Sequence, residues 1–335
     1  MKVFIDYMGH SDVHYGFHCL FEKRIKASLF RTYGVQWIQR GFLNPGEDTA
    51  ERRRPEDQVV DGVYHIPMKM EPEGGYYTQK AVTFGQFLKM DFDVAVASYW
   101  GNEKLLYDIL RKHKPNTLFI RWIGNLREKP LGFAKNILLA TYEPMPPGFN
   151  CIIHHPEHYE GYCYVPPTNH KSITNFANNF SSYPQDVKTW NECLASPSLK
   201  DFYFKVHGHN GSDGPIPHLL MPQAMKDPAF VWHVKAHGGG GFVARQALAC
   251  GRPCIVKKKY AVQYNTLAKN LFVDSVNCVD LDLGVKRGIK MIREWSQPDR
   301  HIEVCKATAE KFKRDVDFAG EAERVKEWIN GLLRR

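Results

Sequence analysis

The sequence has no Cys-x-x-Cys pair, no apolar run near the roughly 18 residues needed to span a bilayer, and no internal repeat. Each absence excludes a class. The eight cysteines (Cys19, Cys151, Cys163, Cys193, Cys250, Cys254, Cys278 and Cys305) are scattered, so no zinc signature is present and reduced thiols in a reducing compartment are expected. The start, Met1 to Asp6, reads as a strand interrupted by a carboxylate and not as a signal peptide. The expected location is therefore the cytoplasm, with no membrane insertion. Also missing is the composition of a disordered chain, for 43% of the residues are hydrophobic, an ordinary globular share.

What is present is length and a lopsided charge. At 335 residues the chain is about twice a typical domain, and two lobes are expected. The net charge of +9 is not spread evenly. Through Cys163 there are 20 Lys and Arg against 19 Asp and Glu, while the remainder holds 25 against 17. A basic second half attracts polyanions or phosphorylated ligands.

Strands and helical patterns alternate along the chain. A strand over Lys2 to Tyr7 leads to a helical pattern from about Val13 to Leu29, with Phe17, Leu20, Phe21, Ile25 and Leu29 at three-to-four spacing. Buried strands follow at Phe92–Tyr99, Thr117–Trp122, Asn136–Thr141 and Cys151–His154, with an amphipathic helix over Asn102–His113. The stretch from Asn44 to Gly75, rich in charge, Gly and Pro, reads as a loop or irregular insertion. Tyr164-Val165-Pro166-Pro167-Thr168 reads as a hinge, since paired prolines stiffen a connection. A second series follows, with strands at Ile173–Phe176, Phe202–His207, Phe230–Lys235 and Pro253–Val256 and three helical stretches at the end. The pattern predicts an α/β protein of two doubly wound, Rossmann-like lobes facing a central cleft, residues 1–163 and residues 164–335.

One segment carries the chemistry. A strand, Phe230 to Lys235, feeds Ala236-His237-Gly238-Gly239-Gly240-Gly241, and a helix opens directly after. Glycines let backbone approach a ligand closely, and a helix start offers free N–H groups and about half a positive charge to an anion. Lys235 and His237 add donors at the same mouth, so a diphosphate suits the geometry. Lys205 and His207, ending the strand before Gly208, are candidates for the same edge. The run Lys257-Lys258-Lys259-Tyr260 reads as a solvated face.

His-Gly-Gly followed by a helix ending Ala247-Leu248-Ala249-Cys250-Gly251-Arg252-Pro253 resembles the donor signature of the GT-B glycosyltransferases. The resemblance implies that the glycine loop meets the donor diphosphate and that a residue of the following helix, Gln246, meets the ribose. Retaining members carry two glutamates eight residues apart; Gly238 and Gln246 stand at the matching positions, which leaves the stereochemistry open. In inverting members a Gly-His after the first strand supplies the general base. His10 takes that place, with Asp12 orienting it or acting as the base itself; a helix cap by Ser11 or Asp12 is the structural alternative.

The resemblance implies a metal-independent hexosyl transfer from a nucleotide sugar, expected to be a UDP-sugar, to a hydroxyl acceptor, with no further cofactor. The first lobe would hold the acceptor and the second the donor. Acceptors left open are a 5-hydroxymethylpyrimidine in DNA, as in phage DNA glucosyltransferases, and a glycan or lipid-linked hydroxyl of envelope synthesis. A sugar-nucleotide epimerase and a non-catalytic binding protein are the other classes. The Asp-x-Asp triplets Asp91/Asp93, Asp280/Asp282 and Asp315/Asp317 lack the single-sheet context of a metal-dependent transferase, and His154, His155 and His158 read as a solvent-facing loop.

Overall fold

A computed structural model describes residues 1–6, 11–33, 58–69, 76–98, 103–124, 131–139, 151–152, 161–217, 220–235, 241–263 and 268–335, with backbone alone at 11–13, 69, 76, 139 and 152. The chain forms two compact units.

In the first unit the chain runs β1 (Lys2–Ile5), α1 (Ser11–His18) continued by a π-helical stretch (Cys19–Ile25), β2 (Ser28–Thr32), β3 (Gln58–Val60), β4 (Val63–Lys69), β5 (Tyr76–Val82) and α2 (Phe84–Lys89). It goes on through β6 (Val94–Ala97), α3 (Glu103–His113), β7 (Leu118–Ile123), β8 (Ile137–Leu139) and β9 (Cys151–Ile152). The sheet order is β3-β4-β5-β2-β1-β6-β7-β8-β9. Strands β5 to β9 in that order pair parallel, while β4 runs antiparallel to β3 and β5. Val94 to Ala97 are wholly buried, as a parallel strand covered on both faces requires. Phe4, Phe87 and Phe92 pack as an aromatic core, with Phe4 and Phe87 centroids 4.8 Å apart.

Two expectations are corrected here. The helical pattern carried to Leu29 ends at Ile25, because Lys26 adopts φ 63 and turns the chain into β2. The segment 44–75 is not wholly irregular: Val59-Val60 and Val63-Tyr64 pair across Asp61-Gly62, whose φ of 50 and 78 make the tight hairpin that Asp-Gly favours.

The second unit, Tyr159–Asp317, runs β10 (Ser172–Asn175), α4 (Pro184–Leu194), β11 (Tyr203–Val206), α5 (Met221–Lys226), β12 (Phe230–Trp232) and α6 (Phe242–Ala249). Then come β13 (Cys254–Val256), α7 (Lys259–Gln263), α8 (Ala268–Leu271), β14 (Cys278–Asp280), α9 (Val285–Trp295) and α10 (Pro298–Asp315). Its sheet is all parallel in the order β11-β10-β12-β13-β14, and Trp190 packs edge-on against Trp232 at 5.1 Å. Helix α11 (Phe318–Leu333), expected with the second lobe, is counted with the first unit, where it packs on the π-helical stretch and β9. Phe318 lies under the Arg24 guanidinium there, at 6.0 Å.

The expected hinge at Tyr164–Thr168 lies inside the second unit. Fully buried Arg252 spans three carbonyl oxygens there, donating to Lys226 at 2.6 Å, to Val165 at 3.1 Å and to Cys250 at 3.1 Å. A guanidinium's planar fork holds such carbonyls in fixed geometry, so the proline segment is anchored.

Candidate functional site

In an open parallel sheet, ligands bind outside the carboxyl ends of the strands where the strand order reverses. In the second unit that point lies between β10 and β12. Asn175 ends β10 fully buried. Its Nδ2 donates to the Trp232 carbonyl at 3.2 Å and its Oδ1 accepts from the Ala177 N–H at 2.7 Å. One amide thus fixes how the two loops part.

A cavity of about 240 Å³ opens at this place. Phe176, Asn178 and Tyr183 line it from one side, His233 and Lys235 from the other, and Gly241 to Val243, the start of α6, close it. Its volume is below the roughly 300–1,000 Å³ of whole-ligand pockets, which suits one part of an extended ligand. Gly241 caps α6 with no side-chain hydrogen bond, and the start of a helix is a favourable place for an anion.

Under this mouth sits a buried imidazole. His233 Nε2 lies 2.9 Å from the Tyr260 hydroxyl. Gly241 has φ +72, and a Cβ there would stand 2.4 Å from His233 Cε1; the ring occupies the space a side chain would need. Burial, with Lys235 and Arg245 nearby, holds the His233 pKa down at about 3, so the ring is neutral and no general base near pH 7. Burial likewise pushes the Tyr260 hydroxyl up.

The sequence-predicted residues divide sharply. Lys235 and Gly241 line the cavity. His237, Gly238, Gly239 and Gly240 lie outside the described residues, as do His10, the Asp12 side chain and His154, His155 and His158. Gln246 is buried on α6 and is not among the lining residues. Lys205 faces Asp227 at 3.9 Å. His207 stacks on Phe176 at 5.7 Å and its Nδ1 lies 3.2 Å from the Gly214 carbonyl. Neither reaches the cavity, because β11 is the edge strand and its loop folds back, the Asp213 carboxylate accepting from Val206 N–H at 2.8 Å. The lysine run is only partly a solvated face, for Tyr260 is buried. Asp280 accepts from Lys258 N–H at 3.2 Å and Asp282 from Lys259 N–H at 2.6 Å, so these carboxylates shape the start of α7.

The first unit reverses between β1 and β6. Buried Asp6 follows β1 directly and accepts from Ser98 N–H at 2.5 Å, with Ser98 Oγ 2.6 Å from the same oxygen. Beneath α1 runs a buried polar chain: Arg31 Nε donates to Gln79 at 2.5 Å, Gln79 Nε2 to the Tyr77 hydroxyl at 2.6 Å, and that hydroxyl lies 3.4 Å from His14 Nδ1. Burial first, then the Arg31 charge, holds His14 well below the usual imidazole range.

Asn175, His233 and Tyr260 were not singled out by sequence reasoning. Asn175 could have been noticed as an amide closing the apolar strand at Ile173; the pairing of His233 with Tyr260 needed the β12–β13 register.

No family model matches the chain, and no curated protein matches it in sequence. Solved structures do match over the full length. Sucrose-phosphate synthase from Thermosynechococcus elongatus superposes with a TM-score of 0.62 at 10% identity, over 100% of this chain and 99% of that one. The catalytic domain of starch synthase IV from Arabidopsis thaliana, bound to ADP and acarbose, gives 0.60 at 9% over 100% and 99%. The DNA-modifying enzyme β-glucosyltransferase, solved with and without its substrate uridine diphosphoglucose, gives 0.58 at 10% over 98% and 100%. The fold is GT-B. Within that GT-B fold the second unit has the five-stranded order 2-1-3-4-5 counted along the chain. Among the described residues no helix is long and apolar enough to cross a membrane, and no three His, Cys, Asp or Glu side chains gather as a metal site.

Proposed function

We infer that the protein is a glycosyltransferase that moves a hexosyl group from a nucleoside diphosphate sugar to a hydroxyl acceptor. The observation that carries this reading is the cavity at the strand-order reversal of the second unit, faced by Lys235 and the start of α6. Those donors suit a diphosphate, whose negative charge grows as the sugar leaves. The acceptor oxygen attacks the anomeric carbon, the bond from that carbon to the diphosphate oxygen breaks, and the acceptor proton passes to His10, with Asp12 orienting the ring or taking the proton itself. The nucleoside diphosphate departs with the bond's electron pair, stabilised by Lys235, His237 and backbone N–H groups in place of a metal ion. Gln246, buried on α6, is the residue of that helix that the GT-B likeness offers to the donor ribose.

UDP is the first nucleotide to try, supported by the likeness to an enzyme solved with uridine diphosphoglucose; ADP is the second, by the likeness to starch synthase IV. The same β-glucosyltransferase and the net charge of +9 support DNA bearing a hydroxymethylated pyrimidine as acceptor. The test is incubation of the pure protein with UDP- and ADP-sugars in EDTA, with hydroxymethylated duplex DNA, a glycan, or no acceptor. Sugar transfer or slow donor hydrolysis is expected. Absence of both, together with no calorimetric binding of UDP or ADP, removes the enzyme reading, and epimerised donor without acceptor replaces it.

A further inference from the structure

The pair His233–Tyr260 has no part in the chemistry above, yet its ring lines the cavity. Tyr260 is buried, and among the described residues the acceptor in reach of its proton is His233 Nε2, at 2.9 Å. Were Nε2 protonated, two donors would meet and the buried hydroxyl hydrogen would have no acceptor, at the cost of an unmade hydrogen bond. Tyr260 therefore donates and Nε2 accepts. The ring is neutral, so its single proton resides on Nδ1. Among the described residues Nδ1 has no hydrogen-bond partner, and the space that a Cβ at Gly241 would fill, beside Cε1 and 3.6 Å from Nδ1, holds no side chain.

We propose that Tyr260 is a positioning residue that locks His233 in the Nδ1–H tautomer, and that this N–H donates to a phosphoryl oxygen of a nucleoside diphosphate at the start of α6. The phosphoryl part rests on the donor reading of the cavity; the tautomer part does not. An oxygen of an anion is the fitting acceptor because the neighbouring donors, Lys235 and the first N–H groups of α6, all favour negative charge. A neutral donor adds a fixed hydrogen bond whose strength does not vary with pH near neutrality, unlike an imidazolium.

The test uses the full-length chain labelled with nitrogen-15 histidine, with the His233 resonances assigned by their loss in His233→Gln. The free protein should show a protonated Nδ1 and a bare Nε2 between about pH 5 and 8, and the Nδ1–H signal should move when UDP is added. Tyr260→Phe should shift the ring toward the Nε2–H form and weaken UDP binding by about tenfold. A protonated Nε2 in the free wild-type protein overturns the lock, and so does a Tyr260→Phe variant with unchanged tautomer and affinity. Should that variant not fold, the wild-type spectrum decides alone. If UDP binds while Nδ1 stays still, this inference falls and the donor reading stands; if neither UDP nor ADP binds, the donor reading falls and the phosphoryl part with it.

Discussion

Each unit places a buried polar side chain at the end of the first strand of its parallel sheet, where the strand order reverses, and the two choices differ by one atom type. In the first unit it is Asp6, which takes hydrogen bonds from the residue after β6; in the second it is Asn175, which bonds to the end of β12. A carboxylate only accepts, whereas an amide both donates and accepts without charge. Asn175 can thus bridge the Trp232 carbonyl and the Ala177 N–H, and it brings no charge of its own to the end of β10. An anion placed at the first reversal would meet Asp6. The difference supports the proposal that the diphosphate belongs to the second unit. The histidines repeat the contrast: His14 ends a chain that starts at Arg31, while His233, among the described residues, has its hydrogen bond with Tyr260.

The largest effect expected to separate the units is His10→Ala. It should lower kcat by about 10²–10⁴-fold while leaving UDP affinity unchanged in calorimetry. A loss of UDP binding instead would place both functions in one unit. The next is the exchange of the guards. Asn175→Asp brings a carboxylate to the proposed diphosphate site and should weaken UDP by about 10–100-fold; Asp6→Asn should not change UDP affinity. Equal losses in both variants would dissolve the contrast.

The second unit was the more legible in sequence, and the reason is local. Its strands are short apolar runs each followed by a turn and a helix, so Phe230 to Cys250 announced a strand, a glycine turn and a helix without help from elsewhere. The first unit hides β3 and β4 in a stretch whose charge, Gly and Pro read as loop, and it hides β2 because Leu29 falls at helical spacing from Ile25. Site residues followed the same division. Lys235 belongs to the same local run as α6 and lines the cavity. Lys205 and His207 were expected at the mouth because each ends a strand, but β11 is an edge strand and Asp213 turns its loop away. Tyr260 stands 27 residues from His233, and only the pairing of β12 with β13 brings them together.

Gly241→Ala probes the second unit's floor. Its backbone, at φ +72 and ψ 118, is one that residues with a side chain rarely adopt, and the added methyl would enter the His233 ring. We expect a loss of about 1–3 kcal/mol in stability, read by denaturant unfolding, with weaker UDP binding. The same substitution at Gly85 on α2, where an added Cβ meets nothing within 4 Å, should be neutral or slightly stabilising, since alanine is favoured over glycine inside a helix.

The smallest effect is acid sensitivity, and it too should differ between units. His301 donates through Nε2 to the Ala229 carbonyl at 3.0 Å, and burial holds its pKa at about 4 against an ordinary value near 6.5. A group depressed in the folded state stabilises fully above its unfolded pKa, and that contribution is lost as pH falls toward the folded one. The second unit, with His301 and His233, should therefore begin to soften below about pH 6.5. In the first unit, burial pushes Glu22 up but bonds with His18 and Lys80 pull harder and leave it at about 2. Its contribution persists down to the ordinary carboxyl range of about 4.3 and fades only below that, although the buried His14 adds an earlier onset of its own. Hydrogen exchange of the two units between about pH 6.5 and 4 should show greater loss of protection in the second. His301→Gln keeps a donor for Ala229 and removes the titration, so the decline of Tm across that range should become shallower. An unchanged slope would mean that the buried imidazole is not what makes the second unit acid-sensitive.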